Sequence, residues 1–355
     1  MSSTHAVSSA HAVSPRCAAI LGGGTWGTAL AQTLSRQGLE VRLWVRTAER
    51  AAEIDRLRRN LRYLPEIELD PRITISHDLA LTCAGAGIVL VAVPTNGLRA
   101  IAAQARPHLR SGAAVISTAK GFEAAAMLTM SAVLLETLGE ERRAQIMALS
   151  GPNIALEVAR GLPAASVVAG FDPAAAEVVR DALSGSQFRV YSSPDLVGVE
   201  YGGALKNVIA IAAGVCDGLE VGDNGKVAVI TRGLAEIARL GVAAGARPLT
   251  FAGLTGLGDC MVTCTSPHSR NRRLGEALAR GHSLEEVIAS TPTIAEGVNA
   301  TRATLRLAAR HGVEMPIATE IHAILFEAKP IATAMSDLLS RGAVDELRGL
   351  GLSGL

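Results

Sequence analysis

The stretch "AAILGGGTWGTALAQTLSRQG", residues 18–38, constrains the fold of this chain more than any other. It places Gly22-x-Gly24-x-x-Gly27 directly after a short apolar run, at the start of a segment with helical periodicity. A chain with 36 glycines produces such spacings by chance, so the context has to decide. Here a strand precedes, a helix follows, and a second strand-like run, "VRLWV", comes about 20 residues on, the layout of a dinucleotide-binding βαβ unit. Gly22 would permit the tight turn, Gly24 the close approach of backbone to a pyrophosphate, and Gly27 the packing of the helix. Trp26, Ala29, Leu30, Thr33 and Leu34 recur at helical spacing and give that helix a buried stripe. The pyrophosphate would sit at the helix N-terminus, where free N–H groups and the dipole favour anions.

The rest of the chain extends this pattern and then abandons it. Between Cys17 and Pro194, strand-like runs ("CAAIL", "VRLWV", "ITI", "IVLVAV", "AVIS", "QIMAL", "ASVVA", "FRVY") alternate with helical segments such as 25–37, 97–105 and 173–184. Apolar strands spaced by helices indicate a mostly parallel sheet covered on both faces. After Pro194 the strands stop, and long Ala/Leu/Val-rich segments follow at 196–216, 225–245, 271–280, 283–290, 297–312 and 318–327. The expected fold is α/β, an N-terminal Rossmann-type mostly parallel sheet with a C-terminal all-helical domain. The expected divisions are a disordered extension over 1–15, a dinucleotide-binding domain over 16–194, a helical substrate domain over 195–345, and a tail over 346–355.

Composition removes several function classes. A net charge of +1 provides no whole-protein field for nucleic acid or an acidic membrane, so an anionic ligand must be held locally. No uninterrupted apolar run approaches a membrane span, and the Ser/Ala/His-rich first 15 residues lack the basic start of a targeting peptide. Five scattered cysteines fit reduced thiols in the cytoplasm. Cys260, Cys264 and His268 are spaced four apart, but Pro267 argues against one unbroken helix there and no second pair completes a tetrahedral set, so no metal is expected.

Cofactor choice is read at the end of the second strand. An NAD-selective site carries a carboxylate there to bond the ribose hydroxyls. This chain has Arg46, with Arg50 nearby, and a cation suits the 2′-phosphate of NADP, so NADP is favoured over NAD. Other strand ends carry "VAVPTNG", then Lys120 in "STAKGF", then Gly151 and Asn153 in "SGPNIAL". Ligands of open α/β sheets collect outside such ends. In the helical half, Ser269, Arg270 and Asn271 follow Pro267 and open a new helix, a suitable phosphate cradle that is also readable as an ordinary serine cap. Lys206 interrupts the apolar run "YGGALKNVIAIAAGV", where a charge is costly unless paired. Asp259, in a turn after "GLG", is its candidate partner, and Lys120 a cation that would lower its pKa. A nicotinamide fold, a phosphate cradle and such a lysine suggest reduction of a phosphorylated ketone, with the lysine delivering the proton.

These residues also carry a resemblance. "GGGTWGTALA", "SGPNIALEVARG", "GVEYGGALKNVIAIAAGVCDGLEVGDNGKVAVITRGLAE", "TFAGLTGLGD", "TSPHSRNRRLG" and "AEGVNAT" resemble the bacterial NAD(P)-dependent glycerol-3-phosphate dehydrogenase family, over about residues 16–340. The resemblance implies reversible reduction of dihydroxyacetone phosphate to sn-glycerol 3-phosphate, feeding glycerophospholipid synthesis, in a cytoplasmic protein. It implies Lys206 as proton carrier. Lys120, Gly151, Asn153, Lys206, Asp259, Ser269, Arg270 and Asn271 would be the substrate contacts. Thr25, Trp26, Arg46, Lys120, Ala155, Arg270, Ile294 and Glu296 would be the cofactor contacts. Asn153 departs from the Ser or Thr usual in the family. A homodimer stays open, since the sequence sets no oligomeric state. Two alternatives remain at this point. One is a β-hydroxyacid or 6-phosphogluconate-type dehydrogenase, whose asparagine typically lies four residues after the lysine, whereas here position 210 is Ala and Asn207 is adjacent. The other is a non-catalytic NADP(H)-binding sensor.

Overall fold

The computed structural model describes residues 16–290 and 295–342; the expected extension 1–15, Ile294 and the expected tail 346–355 lie outside the described residues. Eight strands form one sheet: β1 (Cys17–Leu21), β2 (Glu40–Trp44), β3 (Thr74–Ser76), β4 (Ile88–Val91), β5 (Ala114–Ser117), β6 (Ile146–Ser150), β7 (Ala164–Gly170) and β8 (Phe188–Ser193). Their spatial order is β8-β7-β6-β5-β4-β1-β2-β3. β1 pairs in parallel with both β2 and β4, Ala18 lying opposite Val41 on one side and Ile88 on the other. Chain order therefore reverses beside β1, and the glycine turn leaves from this switch point. Within this sheet β6 pairs with β7 antiparallel, and β8 runs parallel to β7.

Side chains alternate faces along each strand, and the two faces feed different cores. Ala18 and Ile20 of β1 join Ile88 and Leu90 of β4 in one core, whereas Ala19 and Leu21 join Val89 and Val91 in the other. Burying an Ile or Leu as fully as Ile20, Leu43 and Leu90 (each 0% exposed) contributes roughly 1.5–3 kcal/mol relative to leaving it in water. This two-sided burial is why the strands read as continuous apolar runs. In the first helix, Thr25–Arg36, the expected stripe is buried at Ala29, Leu30, Thr33 and Leu34, while Trp26 is half-exposed at the turn.

From Leu196 onward the chain is helical. The central helix, Leu196–Gly218, starts where Asp195 accepts a hydrogen bond from the Gly198 N–H at 2.9 Å. The other Asp195 oxygen accepts from the Arg247 N–H at 2.8 Å and from Thr250 Oγ1 at 2.5 Å, tying the helix start to a later turn. Contrary to the sequence expectation, this helix is long and apolar enough to cross a membrane; 89% of its apolar window is instead buried inside the protein. The helices Gly222–Ala243, Arg270–Ala279, Glu296–His311 and Pro316–Phe326 surround it and build a third core with Leu205, Ile209 and Ile211. Phe122 and Met127, which precede the switch to helices, join that core. They belong to a small hairpin, Phe122–Glu123 with Leu128–Thr129, too short to leave a readable period.

Candidate active site

The glycine turn has the form its spacing implied. Gly22 sits at φ +130°, and a β-carbon there would come within 2.5 Å of the Ala92 carbonyl oxygen at the end of β4. A β-carbon on Gly27 would overlap the Gly22 carbonyl oxygen, so helix and turn touch only because both lack side chains. Gly24 differs: it is the residue before the first helical turn, and a β-carbon there would meet nothing within 4 Å. The open space over Gly24 lies at the N-terminus of the helix, where the first N–H groups have no partner within the helix, beside exposed Thr25. Buried Asn60 steadies the turn, its amide donating to the Gly23 carbonyl and to Thr28 Oγ1, each at 2.9 Å. Arg46 follows β2 and is exposed; among the described residues it makes no hydrogen bond or ion pair. Ala155 opens the short helix after β6, and Glu296 opens the helix Glu296–His311.

Lys206 is buried in the central helix, 5% exposed. Its ammonium donates to Asp259 Oδ1 and, at 2.7 Å, to Thr263 Oγ1. Asp259 is wholly buried, and its second oxygen accepts from Lys120 Nζ at 2.7 Å. Lys120, reaching in from the end of β5, also donates to the Gly151 carbonyl at 2.8 Å. One carboxylate thus holds two ammonium groups, one from each half of the chain. Asp259 does not lie in a turn, as its sequence context suggested. It is the first residue of the helix Asp259–Thr265, after a π-helical turn over Leu254–Gly258. That placement puts Asp259 and Thr263 one turn apart on the face that meets Lys206. Thr263 Oγ1 in turn donates to the Asp259 carbonyl at 2.6 Å, which points its free lone pair at the lysine.

Burial, with a smaller push from the neighbouring Lys120 charge, brings the Lys206 pKa down to about 8 against Asp259 and Glu296, which favour the ammonium. Desolvation wins. A lysine near this value exchanges its proton around neutral pH, which an exposed lysine does not.

The residues expected to cradle a phosphate are partly structural. Ser269 caps the helix Arg270–Ala279, its oxygen accepting from the Arg272 N–H at 3.3 Å, which leaves its hydroxyl hydrogen to donate. Arg270 is exposed and, among the described residues, unpaired. Asn271 is turned inward: its Oδ1 accepts from the Gly297 N–H and its Nδ2 donates to Asn207 Oδ1, both at 2.9 Å. Because the Gly297 N–H can only donate, both carboxamide orientations follow, and Asn207 Nδ2 is left buried without a partner among the described residues. Asn153 donates to the Ala165 carbonyl at 2.9 Å and accepts from Ser166 Oγ at 2.6 Å, so its side chain is aligned along β7. Sequence reasoning missed Asn207 and Thr263. Asn207 was visible only as a second polar residue in the apolar run, and Thr263 gave no signal, since its role depends on the helix phase of its segment. Ile294 lies outside the described residues. Cys260 and Cys264 are buried one turn apart, but the helix ends at Thr265 and leaves His268 exposed beyond it; among the described residues no three metal-binding side chains converge. A separate cleft of about 370 Å³ between the last helices, bordered by Glu314, Glu320, Asp337 and Arg341, shares no residue with this group.

Two family descriptions cover most of the chain: NAD-dependent glycerol-3-phosphate dehydrogenase N-terminus over residues 17–176, and C-terminus over 195–336. The chain is 46% identical over 335 residues to a glycerol-3-phosphate dehydrogenase [NAD(P)+] of Pelotomaculum thermopropionicum, covering 94% of this chain and 96% of that one. It is 43% identical over 331 residues to the enzyme of that name in Bacillus subtilis, covering 93% and 96%. The crystal structure of glycerol-3-phosphate dehydrogenase from Coxiella burnetii superposes with a TM-score of 0.86 at 36% identity, covering 92% of this chain and 99% of that one. On sequence and fold together, the chain belongs to the NAD(P)-dependent glycerol-3-phosphate dehydrogenase family.

Proposed function

We propose that this protein interconverts dihydroxyacetone phosphate and sn-glycerol 3-phosphate with a nicotinamide cofactor, and that Lys206 carries the proton. The observation that carries the reading is the buried Lys206–Asp259–Lys120 group, set between the sheet that bears the glycine turn and the helices that bear Arg270. The nicotinamide, when bound, supplies the hydride. The chain's own residues handle the charge that appears on the substrate oxygen. Lys206, held by Asp259 and Thr263, delivers a proton to that oxygen in reduction and takes it back in oxidation. Lys120 places a second positive charge beside it, lowering the cost of the developing alkoxide. Exposed Arg270 at a helix N-terminus, with the Ser269 hydroxyl, suits a phosphate dianion. The buried Asn207 N–H donors suit a substrate oxygen near Lys206, an arrangement that discriminates against ligands lacking an acceptor there.

Gly22, Gly24 and Gly27 with Thr25 and Trp26 would cradle the cofactor, and an unpaired Arg46 supports NADP over NAD. Ala155, Glu296 and Ile294 complete the cofactor contacts in this reading, and Gly151 and Asn153 the substrate wall. We place the enzyme in the cytoplasm, supplying glycerophospholipid synthesis, with a homodimer as the assembly to test by sedimentation. The free thiols of all five cysteines support a reducing compartment. No observation favours the β-hydroxyacid or the sensor alternative.

The test is a panel of phosphorylated ketones and hydroxyacids with NADPH and NADH, following nicotinamide absorbance. Oxidation of NADPH with dihydroxyacetone phosphate, and not with the other ketones, is expected. Turnover of 6-phosphogluconate or a β-hydroxyacid instead, or silence throughout, would reject the reading.

A further inference from the structure

Resting on the functional reading above, we infer that Glu200 is a positioning residue for the reaction: from the central helix it clamps one end of a strap, residues 121–131, whose other end carries Lys120, and so keeps Lys120 on Asp259. Glu200 lies six residues before Lys206, about 9 Å along the helix axis, too far to touch the reacting atoms. Its carboxylate accepts from the Ser131 N–H at 2.8 Å and from Ser131 Oγ at 2.5 Å. Ser131 lies in the first turn of the helix Met130–Leu138, where backbone N–H groups have no partner within the helix and negative charge is favoured.

The strap between Lys120 and Ser131 has little structure of its own beyond two two-residue strands. What shapes it comes from both halves of the chain. On the sheet side, Arg99 grips Glu123 through two bonds of 2.7 and 2.9 Å. On the helical side, Phe122 packs edge-on against Tyr201 with ring centres 5.0 Å apart, and Arg306 donates to the Ala124 carbonyl at 2.9 Å. Met127 holds a backbone φ of +58°, disfavoured for a side chain of its size, with that side chain buried in the helical core. Lys120 and Ser131 are the two ends of this element, and each is fastened to a carboxylate of the helical half: Asp259 at one end, Glu200 at the other. Loss of the Glu200 clamp releases the Ser131 end of the strap, which the remaining contacts then hold less firmly, and loosens Lys120 at the other end.

The consequence for chemistry runs through charge. The groups acting on Lys206 are Asp259 and Glu296, which favour its ammonium, and Lys120, which opposes it. Withdrawing Lys120 lets Lys206 keep its proton to higher pH. A helix cap that served stability alone would not do this.

The experiment compares wild type, Glu200→Ala, Ser131→Ala, Lys120→Ala and the Lys120→Ala/Glu200→Ala pair. It measures KM for dihydroxyacetone phosphate, the pH dependence of its reduction at saturating NADPH, and Tm. Glu200→Ala is expected to raise KM about tenfold and to move the alkaline limb upward by on the order of half a pH unit. Ser131→Ala, which keeps the backbone donor, should shift both in the same direction by less, and decides the matter should Glu200→Ala fail to fold. In the Lys120→Ala background the second substitution should change KM by less than about twofold. A lowered Tm with normal KM and an unmoved limb overturns the inference, as does full additivity with Lys120→Ala. A wild type silent with dihydroxyacetone phosphate overturns the functional reading and this inference with it. An active wild type with unaltered Glu200 and Ser131 variants overturns this inference alone.

Discussion

Lys206 is an expensive residue where it stands. An isolated ammonium in an apolar helix would lose its proton or unfold its surroundings. Here one fully buried carboxylate and one threonine hydroxyl keep it, and the residual tension leaves its pKa at about 8. Lys206→Ala is expected to lower turnover by roughly 10²–10⁴-fold while NADPH affinity survives; near-normal turnover would remove the lysine from proton transfer. With the ammonium as the proposed acid in reduction, ketone reduction in the wild type should decline as pH rises through about 8, and alcohol oxidation should climb over the same range. Profiles of both directions, recorded with saturating cofactor, check this. Arg46 belongs to the same scale. With no protein partner among the described residues, its guanidinium is available to a phosphate. Arg46→Ala should weaken NADPH by about tenfold or more and NADH little, by analogy with loss of one charge-assisted contact; equal losses would leave the 2′-phosphate without this partner.

At the level of elements, legibility follows period and length. The inner sheet strands were readable because they are buried on both faces, and the edge strands Thr74–Ser76 and Phe188–Ser193, which are partly exposed, as short β-branched or alternating runs; the boundaries moved by one or two residues at most, as with "VRLWV" becoming Glu40–Trp44. The helix Asp259–Thr265 was not readable, because glycines and a π-turn precede it, and the helix Ile331–Ser340 was not picked out either. One helix is held by a device invisible in sequence. Glu236, buried on Gly222–Ala243, accepts from the N–H groups of Ile317 and Ala318 at 2.8 and 3.3 Å, capping Pro316–Phe326 from outside. Burial lifts its pKa to about 7, against the pull of those N–H groups and of Arg239 and Arg341. The folded state then binds its proton more tightly than the unfolded one. Its contribution to stability is present below the ordinary glutamate range and lost as pH rises towards 7, about 3 kcal/mol over the interval. The Tm of Glu236→Gln relative to wild type should therefore be more favourable at pH 8 than at pH 5; a difference independent of pH would show that the carboxyl is ionised throughout.

At the scale of the whole molecule, two carboxylates span the sheet half and the helical half. Asp259 gathers Lys120 from a strand end and Lys206 from the central helix, and Glu200 holds the strap between. Asp259→Ala leaves two ammonium groups facing each other without a counter-charge. At pH 7 this should cost about 3 kcal/mol or more. The cost should shrink from pH 7 towards pH 9, because without Asp259 the folded protein releases the Lys206 proton at a lower pH than the wild type does, while the unfolded chain keeps it in both. Thermal unfolding at both pH values tests it, and a cost unchanged between them would mean that Asp259 does not hold the Lys206 proton. By itself the sequence determined the glycine turn, the switch from strand period to helix period near residue 194, and the family, since these depend on local spacing and on motifs read in order. Only the tertiary structure decided which carboxylate meets which lysine, that Thr263 and Asn207 belong with them, and that Ser131 answers to Glu200. Those pairs are 53 to 139 residues apart along the chain, and nothing in a linear pattern encodes the helix phase and packing that bring them to within 3 Å.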